Sequence, residues 1–150
     1  MQTNVRTLPT AELMKPVLGY IKEGHNVILP LRGWSMRPFL EHERDRALLS
    51  KANCVSKGDI VLAEVAPDHF VLHRIVKIDG DRVTLLGDGN LKPEHCKVTD
   101  IRAKAIGFYR KGREQLDRPE QLKWRIYSSF WMHQPLLLRR CLLYIYRRLI

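Results

Sequence analysis

The residues with the chemistry to act together lie in the middle of the chain. Ser35 sits in Gly33-Trp34-Ser35-Met36-Arg37-Pro38, His73 in Val71-Leu72-His73-Arg74-Ile75-Val76, and Asp88 in Gly87-Asp88-Gly89-Asn90. A serine after a glycine-containing bend can expose its hydroxyl and turn its own N–H toward a substrate carbonyl, as half of an oxyanion site. A serine in a turn is more commonly a turn residue and nothing else. His73 is an odd choice in a run of aliphatics, and its plain reading is a histidine on the polar side of a strand. Gly-Asp-Gly-Asn is ordinary turn chemistry as well as a mount for a carboxylate. Taken together, the three supply nucleophile, base and acid for acyl transfer. Lys77, two residues of the same parity beyond His73, is the competing base; an amine fills that role only when burial removes its charge. His73 is the preferred one.

Other chemistries find less support. His25, His42, His69, His95 and His133 have no metal-ligand spacing, and Cys54, Cys96 and Cys141 form no CxxC pair. No metal, cofactor or disulfide framework is expected, and the cysteines point to a reducing compartment or inert thiols.

These residues need a scaffold, and 150 residues are enough for one domain with a sizeable core. With 45% hydrophobic and 28% charged residues, disorder, collagen-like repeats and disulfide scaffolds are excluded. Leu13, Met14, Val17, Leu18 and Ile21 share one helical face, with Pro16 placing the regular start near Met14 and Gly24 a stop. From Asn26 to about Tyr109, short β-like runs follow: Val27–Leu31, Ala47–Leu49, Asp59–Val65, Val71–Ile78, Arg82–Leu86 and Ala103–Tyr109. Asp79-Gly80-Asp81 marks a hairpin between the fourth and fifth. From Pro119 to Ile150 the chain reads as helical, broken at Pro135. The expected organisation is a helical segment (1–25), a β-rich domain (26–112) and a basic amphipathic helical segment (113–150).

At this point a resemblance enters. Gly33–Pro38, Lys57-Gly58-Asp59-Ile60-Val61-Leu62, Val71–Val76 and Leu86-Gly87-Asp88-Gly89-Asn90, in this order, resemble the boxes of the type I signal peptidase and LexA-type repressor superfamily of serine peptidases. The resemblance covers roughly residues 26–109. Histidine followed by arginine, where bacterial signal peptidases have a lysine base, is similar to the endoplasmic-reticulum and archaeal branch. It implies a mainly β, signal-peptidase/LexA-like fold with an N-terminal helix and C-terminal amphipathic helices. It further implies a serine endopeptidase cleaving a peptide or leader, with Ser35 as nucleophile, His73 as base, Asp88 as orienting acid and Glu94 as a second acid. Gly33, Trp34, Met36 and Pro38 would border the substrate or the oxyanion. Bacterial signal peptidases often carry a serine where Gly33 stands, so the second oxyanion donor is open. The family's membrane anchor and the repressors' DNA-binding unit are both missing from the pattern.

The charge of +10 is lopsided. Residues 1–100 hold 14 Lys and Arg against 13 Asp and Glu, and residues 101–150 hold 12 against 3. Such a tail points to an anionic surface. Leu138, Cys141, Leu142, Ile145, Tyr146 and Leu149 fall on one face of residues 136–150, with Arg139, Arg140, Arg147 and Arg148 opposite. An interfacial helix on an anionic membrane is expected, against packing of the same stripe on the domain. Nucleic acid ranks last, because these aromatics accompany leucines and not a β platform. No run of 18 apolar residues and no secretory leader is found, so a cytoplasmic location, peripheral to the inner membrane face, is expected. The alternative to an enzyme is a non-catalytic membrane-surface or peptide-binding protein that retains the fold.

Overall fold

The Asp79-Gly80-Asp81 turn does what its chemistry predicts. In the computed structural model, which describes residues 10–150, Gly80 takes a positive φ of 60° and Asp79 pairs with Arg82 across the turn. The strands it joins, β4 (His69–Asp79) and β5 (Arg82–Leu86), form the centre of one half of the molecule. The remaining strands are β1 (Val27–Pro30), β2 (Arg46–Ser50), β3 (Ile60–Ala66), β6 (Glu94–Lys97), β7 (Ile101–Tyr109) and β8 (Leu116–Asp117). All join one antiparallel sheet in the order β1-β2-β7-β3-β4-β5-β6, with β8 paired to β7. The mainly β fold with helices at both ends is therefore as expected.

β3 shows why an unbroken aliphatic run suits this sheet. Ile60 and Leu62 face one apolar cluster with Leu29, Leu49, Ala105 and Phe108, while Val61 and Ala63 face a second with Ile75, Val83 and Leu85. Burial on both faces removes the polar alternation that a half-exposed strand would show. The first cluster is covered by α1 (Thr10–Lys22) through Met14 and Ile21.

The helix starts earlier than Pro16 led us to expect, at Thr10, and carries the proline inside. Its apolar face outweighs the lost backbone donor. The other departures are small elements. β6 holds one buried residue, Cys96, and β8 is two residues long. Neither has the periodicity that marks a strand. The C-terminal segment forms α2 (Leu122–Met132) and α3 (Leu136–Leu149), split at Pro135. Among the described residues, no helix is long and apolar enough to cross a membrane.

Candidate active site

Two loops meet backbone to backbone to build the site. The Ser35 carbonyl accepts a hydrogen bond from the Gly89 N–H at 2.8 Å, tying the Gly33–Pro38 loop to Gly87–Asn90. The fit needs glycines. A methyl group at Gly87 would come within 2.4 Å of the Ser35 carbonyl oxygen and 3.0 Å of His73 Nε2; one at Gly89 would come within 2.6 Å of the Trp34 carbonyl oxygen. Ser35 and His73, 38 positions apart, are thus neighbours, and both line a cavity of about 130 Å³. Its other walls include Leu31, Met36, Leu40, Phe70 and Leu72. No direct hydrogen bond joins Ser35 to His73 among the described residues.

Beneath the serine, Met36 is buried in the core, which makes it a floor of the cavity more than a contact surface. Asp45 anchors the far end of the loop. Its buried carboxylate accepts from the Glu41 and Lys111 N–H groups and from the Arg44 guanidinium. Burial works against that charge, but these hydrogen bonds outweigh it and hold the carboxyl below the usual range. Sequence reasoning missed Asp45, since one aspartate in a polar stretch carries no pattern.

His73 is buried in β4. Its Nδ1 lies 2.9 Å from Glu94 Oε2, at the start of β6. The register explains the meeting. Ile75 pairs with Leu85 and Leu85 with Glu94, so Glu94 stands level with β4 two strands away, on the face shared by residues of odd number. Burial pushes the imidazole below its ordinary value, while the attraction and hydrogen bond of Glu94 pull the other way. With Nδ1 engaged by a carboxylate, the geometry leaves Nε2 facing Gly87 and the serine loop.

Asp88 is not the acid on this histidine. It is fully buried and takes Arg74 side-on, with Nε to Oδ1 at 2.8 Å and Nη2 to Oδ2 at 2.7 Å. Arg74 follows His73 in the strand, so its side chain points through the opposite face. It also donates to the Ser128 hydroxyl and the Gly58 carbonyl. Burial opposes the Arg74 charge, but Asp88 more than compensates and the net shift is upward. The Tyr127 hydroxyl donates to Asp88 as well, and burial beside this carboxylate raises the phenol far above its ordinary value.

Lys77 is exposed, beyond a bulge between Ile75 and Lys77, and does not line the cavity. The bulge breaks the parity that relates it to His73. Of the loop residues, the Gly33 N–H is occupied by His42 Nδ1 at 2.8 Å, so it is not a free oxyanion donor. The Ser35 N–H donates to no described residue. Trp34 is 62% exposed beside the loop, with Arg37 over its ring, and Pro38 lies outside the cavity. Among the described residues, no three His, Cys, Asp or Glu are gathered where they could hold a metal ion.

A match to the Peptidase S24-like description extends over residues 2–108, which contain both loops, His73 and Glu94. The chain belongs to the Peptidase S24-like family. No curated protein matches it. Its peptidase-type fold is therefore S24-like, within the LexA and signal-peptidase-like superfamily.

Beyond the S24-like portion, α2 and α3 reach back to the site. Trp131 Nε1 donates to the Asp88 carbonyl at 2.8 Å. Arg139 is buried, not on a solvated arc. Its Nη2 donates to the Gly87 and Asp88 carbonyls at 3.0 and 3.1 Å, and its Nε to the Asn90 carbonyl at 3.1 Å. The Gly87 carbonyl also accepts from the Asn90 N–H and the Asp88 carbonyl from Trp131, whereas the Asn90 carbonyl has Arg139 as its one donor among the described residues. On the wheel Arg139 reads as a fourth surface cation. Only the tertiary fold reveals that its guanidinium is taken up by the loop carbonyls.

Proposed function

We propose that the chain is a serine endopeptidase that cleaves a peptide or leader by a Ser35–His73 mechanism, with Glu94 as the acid on the histidine. The observation that carries this reading is the line Glu94, His73, Gly87 and Ser35, with His73 bonded at Nδ1 and its Nε2 turned to the serine loop. Ser35 Oγ attacks the peptide carbonyl carbon while His73 Nε2 takes its proton, and Glu94 stabilises the imidazolium. The Ser35 N–H is the donor at hand for the oxyanion. Collapse of the tetrahedral intermediate expels the amine, which takes the proton from His73, and leaves an ester on Ser35. Water, deprotonated by His73, then hydrolyses the ester and restores the serine. The histidine base aligns the chain with the endoplasmic-reticulum and archaeal signal peptidases more than with the lysine enzymes. The cavity of about 130 Å³, walled on one side by Leu31, Met36, Leu40, Phe70 and Leu72, has room for a small side chain beside the cleaved bond.

A fluorophosphonate probe and a peptide library, applied to wild type, Ser35→Ala, His73→Ala and Lys77→Ala, test the reading. Labelling and cleavage are expected in wild type and Lys77→Ala only. Cleavage that survives Ser35→Ala, or that is lost in Lys77→Ala but kept in His73→Ala, overturns it. Peptide binding with neither labelling nor cleavage in wild type would favour a non-catalytic peptide-binding role for the same fold.

A further inference from the structure

Part of the exposed side of α3 is apolar and has nothing packed on it among the described residues. Arg139, Leu142, Leu143 and Tyr146 turn inward, with the Tyr146 hydroxyl on Glu41 at 3.3 Å. This narrows the expected stripe, since Leu142 and Tyr146 belong to the domain side. Leu138, Ile145 and Leu149 remain on one exposed strip, and Leu149 is 81% exposed. Leu137 and Tyr144 add an exposed second row. Arg140, Arg147 and Arg148 are exposed around these rows. Large aliphatic groups in water cost roughly 25 cal/mol for every Å² left uncovered, so a continuous bare strip marks a contact surface.

Charge identifies the contact. From Gln121 onward the side chains include Lys123, Arg125, Arg139, Arg140, Arg147 and Arg148 and not one Asp or Glu. A second copy pairing through this strip would bring arginines against arginines with no carboxylate on either helix to offset them. A nucleic acid would satisfy the cations and leave the leucines in water. An anionic bilayer surface satisfies both, because acyl chains accept the aliphatic strip while headgroup phosphates meet Arg148 at its edge and Arg140 and Arg147 reaching around from the far side.

We propose that α3 docks, parallel to the surface, on an anionic phospholipid membrane through Leu138, Ile145 and Leu149, with Arg140, Arg147 and Arg148 at the headgroups. The docking does not depend on Ser35 being a nucleophile. The same helix holds Gly87–Asn90 through Arg139, roughly a quarter turn around from the docked strip, so docking leaves the loop-holding side free.

Sedimentation of the full chain with phosphatidylcholine–phosphatidylglycerol vesicles, against pure phosphatidylcholine vesicles, tests this. The expected result is pelleting with the anionic vesicles alone, weakening as salt is raised. Ile145→Ser with Leu149→Ser should lower partitioning roughly tenfold or more, with circular dichroism unchanged. Arg140→Gln with Arg147→Gln should also weaken it and flatten its salt dependence. This second pair keeps the test decisive if the serine variant does not fold. Absence of pelleting in wild type, or pelleting equal to wild type in both double variants, overturns the proposal. So does a dimer in light scattering, or retention on duplex DNA, that appears in place of vesicle binding. Ser35→Ala should pellet as wild type does, which separates this outcome from failure of the peptidase reading.

Discussion

The carboxylate of Glu94 stands 2.9 Å from Nδ1 of His73, while Asp88 lies through the sheet on the guanidinium of Arg74. Adjacent residues of one strand thus hold separate carboxylates on separate faces. One pairing sets a carboxylate on an imidazole beside the serine loop. The other is a buried structural ion pair.

Replacing each acid by its amide separates the roles. Glu94→Gln should lower kcat/KM roughly a hundredfold or more while leaving the thermal midpoint nearly unchanged, because Glu94 is partly exposed and its loss removes an orienting group. Asp88→Asn should instead destabilise the fold by about 3–5 kcal/mol, since Arg74 is left as an uncompensated buried charge. Chemical denaturation and peptide cleavage read the two effects. The assignment fails if Asp88→Asn is fully stable and selectively inactive.

The pH dependence follows from the burial of His73. Its imidazole is held below the ordinary value of about 6.5, so the neutral base should persist into mildly acidic solution. The acid limb of kcat/KM should therefore fall below about pH 6.5. Glu94 favours the charged form, so Glu94→Gln should move that limb to still lower pH. For stability the sign is set by the unfolded chain, which binds the proton more readily. The fold loses stability as pH drops below about 6.5 toward the folded-state value. A limb that moves upward in Glu94→Gln would contradict the pairing.

Gly87→Ala places a methyl group where the serine loop already has backbone. With 2.4 Å to the Ser35 carbonyl oxygen, the two loops must part, and a displacement of this kind costs roughly a hundredfold in kcat/KM. Gly80→Ala, strained at a distant turn, serves as the control. It should reduce stability and spare kcat/KM. Equal activity in Gly87→Ala and wild type would mean that the loops do not set the site.

Asp45 gives an acid-sensitivity test outside the chemistry. Its carboxyl is held below the usual range in the fold, so its contribution is present above the unfolded value of about 3.8 and is lost as pH falls through the folded value. Asp45→Asn should therefore remain destabilised at neutral pH and approach wild type at low pH. Urea titrations at both pH values measure this. An unchanged difference between the two variants would place the source elsewhere.

Much of the architecture could be read from the chain because its signals are local. The Asp-Gly hairpin, the aliphatic run of β3 and the Pro135 break each lie within a few residues. Ser35 and His73 stood out by type and by order of the surrounding boxes. What could not be read were relations across strands. Glu94 reaches His73 only because β6 pairs with β5, and β6 has a single buried residue to announce it. The role of Arg139 is hidden for the same reason. Its partners in the loop are main-chain carbonyls 49 to 52 residues earlier, and a carbonyl has no letter in a sequence.

Because a chain is synthesised from its N-terminus, the order in which Arg139 and its loop emerge has a consequence. The loop that lies against Ser35 and His73 is complete 49 residues before the guanidinium that braces it exists. Until then the Gly87, Asp88 and Asn90 carbonyls lack their bridging donor. A nascent or clipped chain ending short of Arg139 would carry every residue of the site in an unbraced loop. The brace is thus supplied only after every strand and both loops have been made.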